Sequence, residues 1–161
     1  MPRVFIAVGS NVEPERNVAR ALAELEREFG AVQVSPAYRN RAVGFEGADF
    51  LNLVAAITTE LPFQELVARL RRIEALCGRP PDSPKWGPRT IDLDVLLFGD
   101  LVSPDQKLPR PDLLIRSYML RPLADIAPEV VHPTEHRTIG ELWKRFDREA
   151  HPLVPLGPLP R

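Results

Sequence analysis

Cysteine is nearly absent from this chain. Cys77 stands alone among 161 residues, so no intrachain disulfide and no cysteine metal cluster can form. A lone thiol beside a helical stretch reads as a small buried hydrophobe. There is no signal-like N-terminal pattern and no apolar run long enough to span a bilayer, so a reducing cytoplasm is the expected location. Lysine is scarce as well: of 21 basic residues only Lys85, Lys107 and Lys144 are lysines, and the rest are arginines. The arginine fork grips phosphate bidentately, where an ammonium is only a point charge. A net charge of −1 provides no overall field to attract nucleic acid or a membrane surface. Two further gaps narrow the chemistry. No G-x-x-x-x-G-K-[ST] occurs, which excludes a P-loop. His132, His136 and His151 do not cluster with the acids and read as structural.

A length of 161 residues, 44% hydrophobic and 27% charged, suits one soluble domain with a sizeable core, spanning 1–161 with a Pro-rich tail from about 151. The run "RVFIAV" at 3–8 predicts a buried strand, broken by "GSN". Glu13-Pro14-Glu15 marks a helix start, and Val18, Leu22, Leu25 and Phe29 follow helical spacing to Gly30. Strands are expected over 31–38 and 50–59, with an open polar loop at 39–49 between them. Leu66, Leu70, Ile73 and Cys77 share one face of a helix over 61–76, which Gly78 closes. A Pro-rich loop at 78–89 leads to a strand over 90–98, and a short helix follows at 139–146. The tail from 151 carries too many prolines for regular structure. The order β-α-β-β-α-β predicts an α+β, ferredoxin-like core. That core is a four-stranded antiparallel sheet with two helices on one face, followed by a helical and irregular C-terminal extension.

Chemistry concentrates in "WGPRTIDLDVLL". With a side-chain period of two, Asp92 and Asp94 share one strand face while Ile91, Leu93 and Val95 take the other. Two carboxylates on one face repel, and a cation relieves that repulsion. Arg89, Arg79 and Lys85 stand close by in sequence. Paired acids among arginines suit metal-assisted phosphate chemistry, with Mg²⁺ held by oxygen ligands and arginines on the remaining phosphate charge. Other stretches read two ways. Glu74 in "RRIEALCGR" is either an exposed partner in intrahelical ion pairs or part of the site. "AVGSN" is either a tight strand-to-helix connection or a phosphate-binding turn. Phe50 and Asn52 in "DFLN" share a strand face, either as core packing or as a platform for a flat heterocycle.

Taken together, "IAVGSN", "YRNRAVG", "DFLNLV", "RIEALCGR", "WGPRTIDLDVLLFG" and "RSYMLRPLADIAPEVVHP" resemble the 6-hydroxymethyl-7,8-dihydropterin pyrophosphokinase family, in that family's order and over residues 4–133. The resemblance implies transfer of an intact pyrophosphoryl group from ATP to the hydroxymethyl oxygen of the dihydropterin in folate biosynthesis, leaving AMP. It implies that Asp92 and Asp94 hold two Mg²⁺ ions, with Asp92 as a candidate acceptor of the hydroxyl proton. Arg79, Trp86 and Arg89 match a loop and strand entrance that close over ATP. Arg116 matches a phosphate-side arginine, and Glu74 an acid beside the nucleotide. Asn40, Val43, Phe50, Asn52 and Tyr118 match the pterin pocket, with two rings stacking the pterin and Asn52 reading its polar edge.

The chain departs from the family pattern in three places. Pro81 stands where some members carry a second loop arginine, Arg110 stands in "LPRP" where histidine is usual, and Asn40-Arg41-Ala42 replaces a loop that is often Thr-Pro-Pro. Arg110 is therefore expected to be a permanent cation at the ATP phosphates. The partners implied are small molecules, with neither nucleic acid nor membrane, and a monomer is expected. Two rivals are a nucleic-acid-binding module on the same sheet and a two-metal phosphodiesterase. The first lacks an aromatic RNP-type run. The second usually recruits more carboxylates or histidines.

Overall fold

A computed structural model describes residues 1–43, 45–79 and 90–159. The expected loop closure over 78–89, and with it Pro81, Lys85, Trp86 and Arg89, falls almost wholly outside the described residues. The elements are β1 (Arg3–Ser10), α1 (Pro14–Phe29), β2 (Gln33–Val34), β3 (Ala37–Asn40), β4 (Phe50–Thr58), α2 (Phe63–Leu76), β5 (Asp92–Phe98), α3 (Ser117–Ile126), α4 (Ile139–Arg145) and β6 (Val154–Gly157). The sheet is antiparallel in the order β5-β1-β4-β3-β6, with β2 also on β4.

Among the described residues the sheet therefore has six strands, which corrects the four-stranded expectation. The strand predicted over 31–38 is interrupted at Ser35-Pro36. Proline has no N–H to give the ladder, and the Ser35 hydroxyl instead accepts the Val54 N–H at 2.9 Å. The proline-rich tail also forms a strand after all. β6 lies at the sheet edge, where Pro155 is tolerated because one side of the strand needs no partner.

Alternation divides the core into two layers. Val4, Ile6 and Val8 of β1 pack with Leu53, Leu93 and Val95 beneath α1 and α2, which contribute Val18, Leu22, Leu25, Leu66, Leu70 and Ile73. Phe5, Ala7 and Val54 face the other way, toward Met119, Leu120 and Leu123 of α3 and Ile139 of α4. The second face of the sheet is thus covered at one end by α3 and α4. The Tyr38 hydroxyl donates to Asp125, linking β3 to α3, and burial together with that carboxylate pushes it up to about 12. His132 is structural: it is buried, and its Nδ1 accepts the Glu135 N–H at 3.1 Å.

Candidate active site

β1 and β5 pair with a register shift between Phe5 and Ile6, so that Phe5 faces Leu97 and Ile6 faces Val95. Leu96 is the extra residue, and its carbonyl accepts the Arg110 N–H at 2.9 Å. This bulge ties the "LPRP" segment to the same end of the sheet as Asp92 and Asp94, beside the uncovered part of the second face. A cavity of about 350 Å³ opens there.

One side of the cavity is charged. Glu74 sits in the last turn of α2 and is buried, which excludes the exposed-helix reading. One of its oxygens accepts the Leu93 N–H at 2.8 Å, lies 2.6 Å from Arg71 Nη1 and lies 3.0 Å from Arg79 Nη1. Arg79 also reaches Asp92 Oδ1 at 2.9 Å. Arg71 donates to the Leu93 carbonyl at 3.0 Å and stands 3.8 Å from Asp94 Oδ1, with Arg110 at 3.5 Å from the same oxygen. The chain of charges runs Asp92, Arg79, Glu74, Arg71, Asp94, Arg110. Burial, and then the neighbouring Asp92, raise the Asp94 carboxyl to about 6, with Arg110 and Arg71 pulling the other way. Arg116, the residue before α3, completes this side.

The other side is aromatic and amide. Asn40, Val43, Phe50, Asn52 and Tyr118 all line it. Asn52 Nδ2 donates to Asn40 Oδ1 at 2.5 Å, which fixes both amides. Gly9 pairs with Asn52 on one flank and with Asp92 on the other. A Cβ on Gly9 would come within 2.6 Å of Asn52 Oδ1, so only glycine lets that amide lie across the sheet floor. Ser10 continues the ladder and its hydroxyl donates to the Thr90 carbonyl at 2.6 Å. "GSN" is therefore floor and connection, in line with the structural reading.

Every proposed site residue within the described part lines this one cavity: Glu74, Arg79, Asp92, Asp94, Arg110 and Arg116 on the charged side, and the five pterin-pocket residues opposite. Trp86 and Arg89 lie outside the described residues. Arg71 and Phe45 also line the cavity and were not anticipated. Arg71 lies three residues before Glu74, a helical spacing that would have pointed to it. Phe45 meets Phe50 edge-on at 6.3 Å, and its only sequence signal is an aromatic set in a polar loop.

Asp92 and Asp94 suit a hard cation: they are paired oxygen donors on one strand face, both lining the cavity. Among the described residues no group of three or more His, Cys, Asp or Glu converges as a metal cage. Most of an ion's coordination would then fall to water and phosphate oxygens, the usual arrangement for Mg²⁺.

The family model described as 7,8-dihydro-6-hydroxymethylpterin-pyrophosphokinase matches residues 5–128. The chain is similar to the 2-amino-4-hydroxy-6-hydroxymethyldihydropteridine pyrophosphokinase of Pseudomonas aeruginosa, at 42% identity over 146 residues, 87% of this chain and 89% of the relative. The protein of the same name from Aquifex aeolicus is 36% identical over 145 residues, 88% and 90% of the two chains. Among solved structures, an HPPK-DHPS in complex with substrates superposes with a TM-score of 0.69 at 14% identity, covering 92% of this chain and 44% of that one. Plasmodium falciparum HPPK-DHPS superposes with a TM-score of 0.68 at 15% identity, covering 90% and 43%. The chain spans less than half of those solved chains, and at such identity the likeness shows the fold.

Proposed function

The chain belongs to the 7,8-dihydro-6-hydroxymethylpterin-pyrophosphokinase family, and on that premise we propose that it transfers pyrophosphate from ATP to the hydroxymethyl group of 6-hydroxymethyl-7,8-dihydropterin, giving AMP and the pterin diphosphate for folate biosynthesis. The observation that carries the reading is one row across the sheet. Asn52, Gly9 and Asp92 stand side by side on β4, β1 and β5. Asn52 and Asp92 are therefore two strand spacings apart, about 9.6 Å. A bicyclic heterocycle held at its polar edge by Asn52 can extend its hydroxymethyl arm toward the acid pair. Neither rival accounts for the amide and aromatic half of the cavity.

In this reading Phe50 and Tyr118 flank the pterin, with Asn40 and Val43 closing its pocket. Arg79, Arg110 and Arg116, with Arg89 and Trp86 from outside the described residues, hold the nucleotide's phosphates and close over it. Asp92 and Asp94 would hold two Mg²⁺ ions. Bound there, Mg²⁺ neutralises phosphate oxygens and polarises the substrate hydroxyl. The hydroxymethyl oxygen bonds to the β-phosphorus, the bond from that phosphorus to the α-phosphate oxygen breaks, AMP leaves, and the hydroxyl proton passes to Asp92. The protein's part is positioning and charge stabilisation, as in phosphoryl transfer generally. Among the described residues no helix is long and apolar enough to cross a membrane. A cytoplasmic monomer acting on small molecules agrees with this reading.

The reading is tested with a pterin that carries methyl in place of hydroxymethyl. It should bind with similar affinity and support no ATP consumption, whereas the hydroxymethyl compound drives release of AMP. ATP turnover that is indifferent to the pterin would refute the assignment. Gly9→Ala supplies an independent check. The added methyl displaces the Asn52 amide, and pterin affinity is expected to fall about tenfold, roughly 1.4 kcal/mol, with nucleotide affinity unchanged by titration calorimetry. An equal loss for both ligands would place the Asn52 amide elsewhere in the mechanism.

A further inference from the structure

Arg110 is held in an unfinished way. Its Nη2 stands 3.5 Å from Asp94 Oδ1, an ionic contact beyond good hydrogen-bond length. Its Nε is buried and has no hydrogen-bond partner among the described residues. A buried guanidinium donor left unpaired costs stability, so this seat is a poor resting place unless a second set of acceptors is sometimes present. Arg71 on the other side of Asp94 is different. It is anchored by Glu74 at 2.6 Å and the Leu93 carbonyl at 3.0 Å, and stands 3.8 Å from the Asp94 oxygen. Arg79 faces Asp92 at 2.9 Å. Each acid of the pair is thus faced by a guanidinium.

We propose that Arg110 is a resident counter-ion of the acid pair, which holds divalent metal off Asp94 in the empty site and trades Asp94 for the nucleotide's phosphates when metal and nucleotide arrive together. The proposal rests on the reading of Asp92 and Asp94 as the metal-holding acids. A cation approaching alone meets Arg110 and Arg71 around the carboxylate it needs. A cation arriving with a polyphosphate brings acceptors for the Arg110 Nε and Nη donors, so the arginine leaves the acid without losing its partner. Metal and nucleotide binding are then strongly coupled. A histidine, neutral over much of the physiological range, would block metal far less. Arg71 stays anchored to Glu74 throughout and acts as the fixed positive neighbour.

Mn²⁺ serves as the probe, with free ion counted by electron paramagnetic resonance. The wild type is measured without nucleotide and with an ATP analogue carrying methylene between the α- and β-phosphorus. Arg110→Gln should bind Mn²⁺ alone about tenfold more tightly than the wild type, because a unit charge a few ångströms away is removed. The same variant should bind Mn²⁺ with the analogue about tenfold more weakly. Arg110→Lys keeps the charge and should leave metal-alone binding weak. Thermal melts of each variant verify folding. A mere phosphate ligand would change only the second number, and a structural residue would weaken both. Either pattern, or a Lys variant that behaves like Gln, overturns the proposal. Failure of the underlying reading looks different: the wild type would not retain Mn²⁺ with the analogue in a manner that Asp94→Asn abolishes.

Discussion

Asp94→Asn is expected to lower AMP formation by about 10²-fold or more, the scale of losing one transition-state charge stabiliser, and at the same time to make the ligand-free protein more stable at neutral pH. The two effects share a cause. Burial and the adjacent Asp92 hold the Asp94 carboxyl at about 6, above its ordinary 3.8. Between those values the folded protein binds more protons than the unfolded chain. Stability of the ligand-free protein therefore falls as pH rises through this window, and the full cost is present above about 6. A shift of that size corresponds to about 2–3 kcal/mol. Asparagine keeps the shape without the charge, so a gain of about 1–2 kcal/mol near pH 7.5 is expected, together with a flatter slope between about pH 4 and 6. Urea melts across pH read both. Asp92→Asn should lose as much activity without the gain, since Arg79 lies 2.9 Å from its Oδ1 and would lose a charge partner. Near-normal AMP formation by either variant at ordinary Mg²⁺ would remove the acids from the mechanism.

Glu74→Gln carries the second large effect, and here stability and activity fall together. Glu74 is 3% exposed and a single carboxylate oxygen gathers Leu93 N–H, Arg71 and Arg79. An amide cannot neutralise two guanidinium groups. The expected loss is about 2–4 kcal/mol, because breaking a buried charge pair leaves its partner uncompensated; Arg71, about half exposed, keeps the figure from going higher. For a domain of this size that lowers Tm by about 2–4 °C per kcal/mol. Glu74 touches no reacting atom in this account. It is a positioning residue for Arg79 and the start of β5, so kcat should fall while pterin affinity holds. Differential scanning calorimetry and kinetics together decide it. An unchanged Tm would show the buried carboxylate to be dispensable to the fold.

The acid pair was legible because a strand's period of two is local. Asp92 and Asp94 announce their shared face from seven consecutive residues, and the structure puts both on the cavity floor. α1 and α2 were legible for the same reason, each with an unbroken apolar stripe and a glycine after it. What could not be read depended on distant partners. β6 forms because β3 offers it an edge, in spite of its proline. α3 was hidden by Pro122 inside it, and is held in place by Tyr38–Asp125 and by packing on β4. The strand after α1 divides at Pro36 and is bridged by a serine hydroxyl whose partner lies on another strand. For Arg71 the spacing from Glu74 was a signal, but the contacts that bring it into the site, Asp94 and the Leu93 carbonyl, lie across the fold. The pocket assignment relied on the family resemblance. Phe50 and Asn52 alone did not distinguish a ligand platform from core.

Phosphorus NMR of the reaction mixture distinguishes transfer of pyrophosphate as one unit from ATP to the hydroxymethyl oxygen from stepwise or hydrolytic alternatives. With ATP, Mg²⁺ and 6-hydroxymethyl-7,8-dihydropterin, AMP and a pterin-bound diphosphate should grow in equal amounts, with no ADP and no free inorganic pyrophosphate. Formation of ADP with a pterin monophosphate, or of AMP with free pyrophosphate and unmodified pterin, would rule out transfer of the intact group.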